Sequence, residues 1–314
     1  DDPDHARLRQ LVSLAFTPRA IDGYIPLIKK TLDDLLATLD LHEPFDLVRS
    51  VNSQIPSQVV GELIGLPLSD RKMFARLAAL QSLGRDPEAP FEDQLTAVRA
   101  RREMYNYIAE LIDRERNRPS DTPVGRLISL EQAGKKINGP ELISLVATVY
   151  SAGFGTTVRM LGNGLVNLLR HPDQAAFLRN NPLLVRQVTD ELLRFDTPVM
   201  TVGYYVGNGA TVRGVALDPG SLCTVIIGAA NHDPRAFDQP DVLDVTRPRN
   251  KGPLSFGFGT HYCIGQALAR LEADVVYSEL MRRFPRMALS DEPVRQDTFR
   301  ARAFTEICVV LEPT

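Results

Sequence analysis

A mainly α chain with small β-sheets is what this 314-residue sequence predicts. Three observations carry that reading. Apolar residues recur at helical spacing through roughly the first two thirds of the chain. A stretch rich in Val, Thr, Tyr and Gly with patchy alternation follows at 199–227, and short clusters bearing Pro and Gly punctuate both regions.

In chain order, helices are expected near 4–15, 22–39, 50–63, 70–84 and 91–117. The first opens with Asp2 as N-cap and Pro3 at the first helical position. Pro44, the Leu66-Pro67 step and Pro119-Ser120-Asp121 separate the helices, because proline removes a donor and restricts the residue before it. Residues 139–170 form a long helical run that opens at Gly139-Pro140-Glu141 and closes before His171-Pro172. Its centre, Ala152-Gly153-Phe154-Gly155-Thr156-Thr157, is weak for a helix, each glycine costing about 1 kcal/mol relative to alanine. A helix at 182–196 precedes a small sheet at 199–227. An irregular Pro- and Asp-rich stretch at 231–253 leads through a glycine-rich loop to a last helix at 264–283, and alternation at 302–311 predicts a closing hairpin. The whole chain, 1–314, is expected to be one domain: a helical core at 1–196, a small sheet region at 197–230, a loop and last helix at 254–283, and a C-terminal hairpin at 300–312. No internal repeat or low-complexity tract interrupts it.

Composition narrows the function. With 44% hydrophobic residues the chain can build a substantial core, and a net charge of −3 gives no electrostatic footprint for nucleic acid. Three scattered cysteines, Cys223, Cys263 and Cys308, make no disulfide framework, which fits a reducing, cytoplasmic setting. No run of about 18 uniformly apolar residues stands out, so no membrane partner is expected. The chain opens Asp1-Asp2-Pro3-Asp4-His5 without an initiator methionine, and is expected to lack an upstream segment.

The strongest local signal is Phe256-Gly257-Phe258-Gly259-Thr260-His261-Tyr262-Cys263-Ile264-Gly265, running directly into Gln266-Ala267-Leu268-Ala269-Arg270. It places a cysteine at a helix N-terminus, where unpaired N–H groups and the helix dipole favour the thiolate that ligates metals. A lone cysteine near glycines is usually a small buried hydrophobe. The full decapeptide, however, resembles the haem-binding loop of the cytochrome P-450 family at every fixed position, Phe-Gly-x-Gly-x-His-x-Cys-x-Gly.

That resemblance implies a cytochrome P-450 fold, N-terminally truncated, holding haem b (iron protoporphyrin IX) with Cys263 as the metal's thiolate ligand. It implies haem contacts for Phe256, Gly257, His261 and Gly265 in the loop, and for Ala152 and Gly153 in the central helix. His5 and Arg9, in a match to the family's His-x-x-x-Arg, share one helix face and are implied to hold a propionate. Glu191-Leu192-Leu193-Arg194 is similar to the family's Glu-x-x-Arg element, with Arg247 as third member of a structural network; as bare patterns, a solvated ion pair and a surface arginine fit equally. Further ordered matches are Asp196-Thr197-Pro198-Val199 and Ala229-Ala230-Asn231-His232-Asp233-Pro234-Arg235.

For the chemistry, the resemblance places Thr156 at bound oxygen, with Thr157 beside it, in a central helix that bends over the haem. Two positions depart from the family. Gly155 stands where a carboxylate normally precedes the threonine, and Tyr204 stands where an arginine normally clamps a propionate. The leading expectation is a monooxygenase that inserts one oxygen atom of O2 into a small, largely apolar organic substrate. Phe154, Val199 and Met200 are apolar pocket candidates, and their alternative is ordinary core. A lipid, terpenoid, polyketide or aromatic substrate of secondary metabolism fits equally. A ferredoxin-type protein is the expected electron donor, because no flavin or nicotinamide signature is present in the chain, which is expected to be a monomer. The alternatives are a haem-binding remnant with little turnover and a peroxide-driven oxygenase.

Overall fold

The architecture is that of a computed structural model, which describes residues 1–84, 89–117, 120–134, 137–248, 252–296 and 298–311. Pro119, part of the 231–253 stretch and residue 312 therefore lie outside the described residues. Helix α1 spans Asp4–Ser13 and continues as a 3-10 turn over Leu14–Phe16. Asp2 supports its first turn by accepting the Ala6 N–H at 3.0 Å, although Pro3, not Asp2, occupies the residue just before the helix. The helix predicted at 22–39 is α3 (Ile25–Leu36), with Pro26 in its first turn, and the short α2 (Pro18–Asp22) just before it was not expected. A π-helical turn at Val48–Asn52 runs into α4 (Gln54–Leu63), followed by α5 (Arg71–Leu83) and α6 (Phe91–Asn117).

Two helices of more than five residues were not expected. Helix α7 (Pro123–Gln132) starts at Thr122, whose hydroxyl accepts the Gly125 N–H at 3.1 Å, with Pro123 at its first position. Helix α9 (Pro172–Asn180) begins at the Pro172 that ends its predecessor. Between them lies α8 (Gly139–Arg170), opened by a reciprocal capping box between Asn138 and Glu141. It stays α-helical through 152–157, so the glycines do not break it. The remaining helices are α10 (Val185–Phe195), the short α11 (Ile227–Asn231) and α12 (Gln266–Arg283).

The sheets are small and antiparallel. β1 (Phe45–Asp46) lies far upstream of β2 (Thr201–Tyr205), β3 (Ala210–Val212), β4 (Val215–Leu217) and β5 (Leu222–Ile226). β2 pairs with β5, and β3 with β4. At the C-terminus come β6 (Ala288–Leu289), β7 (Val294–Arg295), β8 (Phe304–Glu306) and β9 (Cys308–Val310). The predicted closing hairpin is corrected here: β8 pairs with β7, whereas β9 lies between β1 and β6. Only Ile307 separates β8 from β9, too short a link to reverse the chain, so each strand takes its partner elsewhere.

Helix α8 is the hub. One apolar cluster joins α3, α4, α8, α10 and α12, a second joins α5, α6, α7 and α8, and Val149 packs on both. By length and composition alone α8 is apolar enough to cross a bilayer, yet residues 161–168 are buried without exception by the surrounding helices, as befits a core helix. Gly164 allows the closest approach. A Cβ there would lie 2.1 Å from the Tyr277 hydroxyl of α12, which donates to the Met160 carbonyl at 2.6 Å.

Candidate functional site

The loop of residues 254–265 is built from the chain's own constraints. Gly257 and Gly259 both adopt φ of +72°, a conformation that other residues take only with strain. A Cβ on either would meet nothing within 4 Å, so the loop's backbone faces open space. Its ends are closed by the Cys263 N–H donating to the Phe256 carbonyl at 2.9 Å. Asn231 secures the entry, accepting from the Leu254 N–H at 2.8 Å and donating to the Ser255 hydroxyl at 3.0 Å. Gly265 leads into α12 with Phe16 of the α1 extension 3.8 Å from where its Cβ would be.

Cys263 is an exposed residue of this loop. Burial of its sulfur among the surrounding protein atoms nonetheless pushes the thiol up from the ordinary value; the backbone N–H groups of Gly265 and Gln266 and the charges of Arg9 and Arg270 pull the other way. The helix terminus therefore assists the thiolate, as expected from sequence, without outweighing burial. A bound metal cation would supply the missing compensation. Among the described residues, no three His, Cys, Asp or Glu side chains converge as metal ligands. A single thiolate beside an open glycine floor suits a metal whose other ligands come from a flat macrocycle, and in that sense the residues fit a haem.

Several predicted residues gather around the loop. His5 and His261 bring their rings to 4.1 Å between centroids, and Arg9 donates to the Tyr262 carbonyl. His261 Nε2 lies 3.0 Å from Asp1 Oδ1. Tyr204, on β2 opposite Cys223 of β5, brings its ring to 6.5 Å from that of Phe258. Sequence reasoning missed Arg270. Its guanidinium lies 4.4 Å from the Phe256 ring centroid, and its Nε donates to Asp190 of α10 at 2.6 Å. No local pattern marked it, because α12 begins only at Gln266 and the spacing from Cys263 is not helical throughout.

Glu191, Arg194 and Arg247 also come together. Arg194 is 1% exposed and donates from Nε and Nη2 to the two Glu191 carboxylate oxygens at 2.8 Å each. Its other N–H groups reach the carbonyls of Asn231 at 2.9 Å, Pro240 at 2.7 Å and Val242 at 3.1 Å. Arg247 Nε lies 3.2 Å from both Glu191 oxygens. Through Asn231 this cluster is tied to the entry of the cysteine loop.

In α8, Ala152 is exposed, Gly153, Gly155 and Thr156 are half-buried, and Thr157 is buried on the packed side. The Thr156 hydroxyl donates to the Ala152 carbonyl at 2.6 Å. Of the apolar pocket candidates, Phe154 is buried in the core on the side of α5 and α6, which corrects its expected place in a pocket; Val199 and Met200 are half-buried. A groove of 680 Å³ lined by Leu11, Phe16, Tyr24, Leu127 and Val149, among others, holds none of the motif residues.

Residues 178–303 match the family model described as Cytochrome P450. A vitamin D(3) 25-hydroxylase of Pseudonocardia autotrophica is 35% identical over 318 residues, an alignment covering 100% of this chain and 77% of that protein. Cytochrome P450 107B1 of Saccharopolyspora erythraea is 38% identical, covering 94% of this chain and 72% of its own length. Among solved structures, P450BioI in complex with an acyl carrier protein ligated to hexadec-9Z-enoic acid superposes with a TM-score of 0.93 at 33% identity, over 99% of this chain and 80% of that one.

Proposed function

Because the chain belongs to the cytochrome P450 family and is a haem-dependent monooxygenase, we propose that Cys263 is the thiolate ligand of its haem and that the substrate is a small, largely apolar organic molecule. The observation that carries this is an exposed Cys263 just before α12, in a loop whose Gly257 and Gly259 face open space. When bound, the haem supplies O2 binding and its reductive activation. Phe256, Gly257 and Gly265 would hold it from the loop, and Ala152 and Gly153, small residues of α8, would leave it room. Arg9, His5 and His261 would hold a propionate, with Tyr204 contributing one neutral hydrogen bond where the family has a charge. Glu191, Arg194 and Arg247 fix the loop's entry and take no part in the chemistry.

Thr156 handles the proton. Its hydroxyl, held by the Ala152 carbonyl, keeps lone pairs to accept from water, and a rotation about χ1 turns its own proton toward the oxygen site. Thr157 is buried and supports the helix around it. Gly155 carries no proton, so delivery runs through ordered water or substrate groups. The same glycine favours a second reading, hydrogen peroxide as oxidant, which arrives with its own protons. Electrons come from a ferredoxin-type protein docking near the Cys263 loop, and the enzyme works as a cytoplasmic monomer, one domain over 1–314, in secondary metabolism. The named ligands of relatives, vitamin D(3) and a hexadecenoyl chain, support an apolar substrate.

The test is a carbon monoxide difference spectrum of the reduced, haem-loaded protein. A thiolate-type band that disappears in Cys263→Ala is expected. The same band in the alanine variant, or no haem uptake by the wild type, overturns the assignment. Turnover with a ferredoxin system against hydrogen peroxide then separates the two oxidant readings.

A further inference from the structure

The groove of 680 Å³ among α1, α2, α3, α7 and the first half of α8 has the size of a small-molecule site and holds none of the residues assigned to the haem. Its walls are mostly apolar, among them Leu11, Phe16, Leu27, Leu127 and Val149, and Leu14, which also lines it, is 64% exposed. The polar side chains that line it are, with one exception, already engaged. Glu62 accepts from Arg71 at 2.7 Å, Asp121 accepts from Arg126 at 3.0 Å, and Thr122 accepts the Gly125 N–H at 3.1 Å. The exception is Tyr24. Only 9% of it is exposed, and its hydroxyl has no hydrogen-bond partner among the described residues, yet that oxygen is not sealed within packed atoms. It therefore opens into the groove that Tyr24 lines.

A phenol so placed has one unmet need. Nine-tenths of the residue is out of water, so its hydroxyl must take a partner from whatever fills the groove. It stays protonated, because burial and the charge of Glu62 push it up to about 12, and it therefore offers a donor. The same Glu62 charge disfavours an anion beside it. We propose that this groove is a second ligand site, separate from the Cys263 loop: it takes an uncharged, mainly apolar molecule whose carbonyl oxygen accepts from the Tyr24 hydroxyl, while the body of the molecule lies against Phe16, Leu127 and Val149.

This site goes beyond the haem reading above, and its test keeps the two apart. The haem-loaded enzyme is first saturated with an azole, which takes the iron and leaves the groove free. A steroid ketone, a terpenoid ketone and a long-chain fatty-acid methyl ester are then titrated by calorimetry, and a photoreactive steroid enone is cross-linked and its attachment mapped by peptide mass spectrometry. At least one probe is expected to bind the azole-saturated enzyme at a single site, with cross-links within 11–27, 122–130 or 145–149. Tyr24→Phe keeps the ring and loses the donor, which weakens binding roughly two- to tenfold, the range of one neutral hydrogen bond. Ala20→Phe places a ring in the groove and abolishes binding. The free fatty acid binds more weakly than its ester. No binding by any of the three, binding blocked by the azole, cross-links only outside those segments, affinities unchanged in either variant, or a free acid that binds more tightly than its ester overturns the proposal. An azole that leaves the haem spectrum unchanged counts against the haem assignment instead, and the same titrations without it then decide the groove.

Discussion

Replacing Arg194 with lysine tests what the Glu191–Arg194–Arg247 cluster contributes. Arginine has five N–H donors, and Arg194 places every one: two on Glu191, and one each on the carbonyls of Asn231, Pro240 and Val242. Lysine keeps the charge but offers three donors from a single point, so at least two of the five acceptors lose their partner. Each buried acceptor left unsatisfied costs about 1–3 kcal/mol, giving for two of them a destabilisation on the order of 2–6 kcal/mol. A solvated ion pair would contribute no more than about 1 kcal/mol, so the measured value decides between the two readings of this motif. Urea unfolding followed by circular dichroism gives that value. A second readout follows from the geometry, since Asn231 also holds Leu254 and Ser255 at the entry of the cysteine loop: the lysine variant should lose haem faster on gel filtration. A variant within about 0.5 kcal/mol of wild type that retains its haem would refute a load-carrying role for the cluster.

Three other substitutions have definite signs. Gly155→Ala adds a Cβ whose nearest neighbour is 3.8 Å away and removes a helix-interior glycine, so it should stabilise the fold by about 0.5–1 kcal/mol; a destabilised variant would show that the space beside residue 155 is not open. Gly164→Ala should do the reverse, costing roughly 1–3 kcal/mol or more as its Cβ meets the Tyr277 hydroxyl, and an unchanged unfolding midpoint would contradict that packing. Glu279 is raised by burial, but hydrogen bonds from Arg282, Lys29 and Arg283 outweigh this and hold it at about 2. Its folded value lies below its unfolded one near 4.5, so the stability it confers is complete above that pH and fades as pH falls toward 2. Glu279→Gln should flatten the acid limb of stability in this window by on the order of 1–3 kcal/mol, and an identical acid limb would count against the cluster.

The long helices and the cysteine loop were legible because their signals are local: α6 and α8 carry unbroken periodicity, and the decapeptide ending at Gly265 is contiguous. Helices α7 and α9 were missed for a shared reason. At His171-Pro172 proline was read only as a stop, and Pro123 was passed over beside the separator at Pro119-Ser120-Asp121, yet a residue without an N–H is as well suited to the first turn of the next helix, where no intrahelical partner exists. The short α2 was missed because five residues carry too little periodicity to read. The pairing of β8 and β9 was out of reach for a different reason. Alternation shows that a segment is extended but names no partner, and β9 finds β1 more than 250 residues upstream, joining Asp46 to Cys308.

The same division between local and distant signals governs the site. Cys263 can be assigned from its neighbours in sequence because the loop needs glycines, a helix start and a thiol in fixed succession. The burial that pushes its thiol up is not written in that succession, and neither are the opposing charges of Arg9, from α1, and Arg270, from within α12. Residue 155 shows the stronger form of this. Read along the chain, Gly155 is only the loss of an acid, and the natural conclusion is a weakened enzyme. Read in three dimensions, the vacated position has the Arg159 guanidinium as its nearest neighbour, 3.8 Å from where a Cβ would stand. An absent side chain thus becomes informative once the residue one turn away is considered with it: Gly155→Asp, placing a carboxylate within reach of Arg159, should be more stable than Gly155→Asn, equal in size and uncharged, by about 0.3–0.5 kcal/mol, and equal urea midpoints for the two would show that the guanidinium does not reach residue 155.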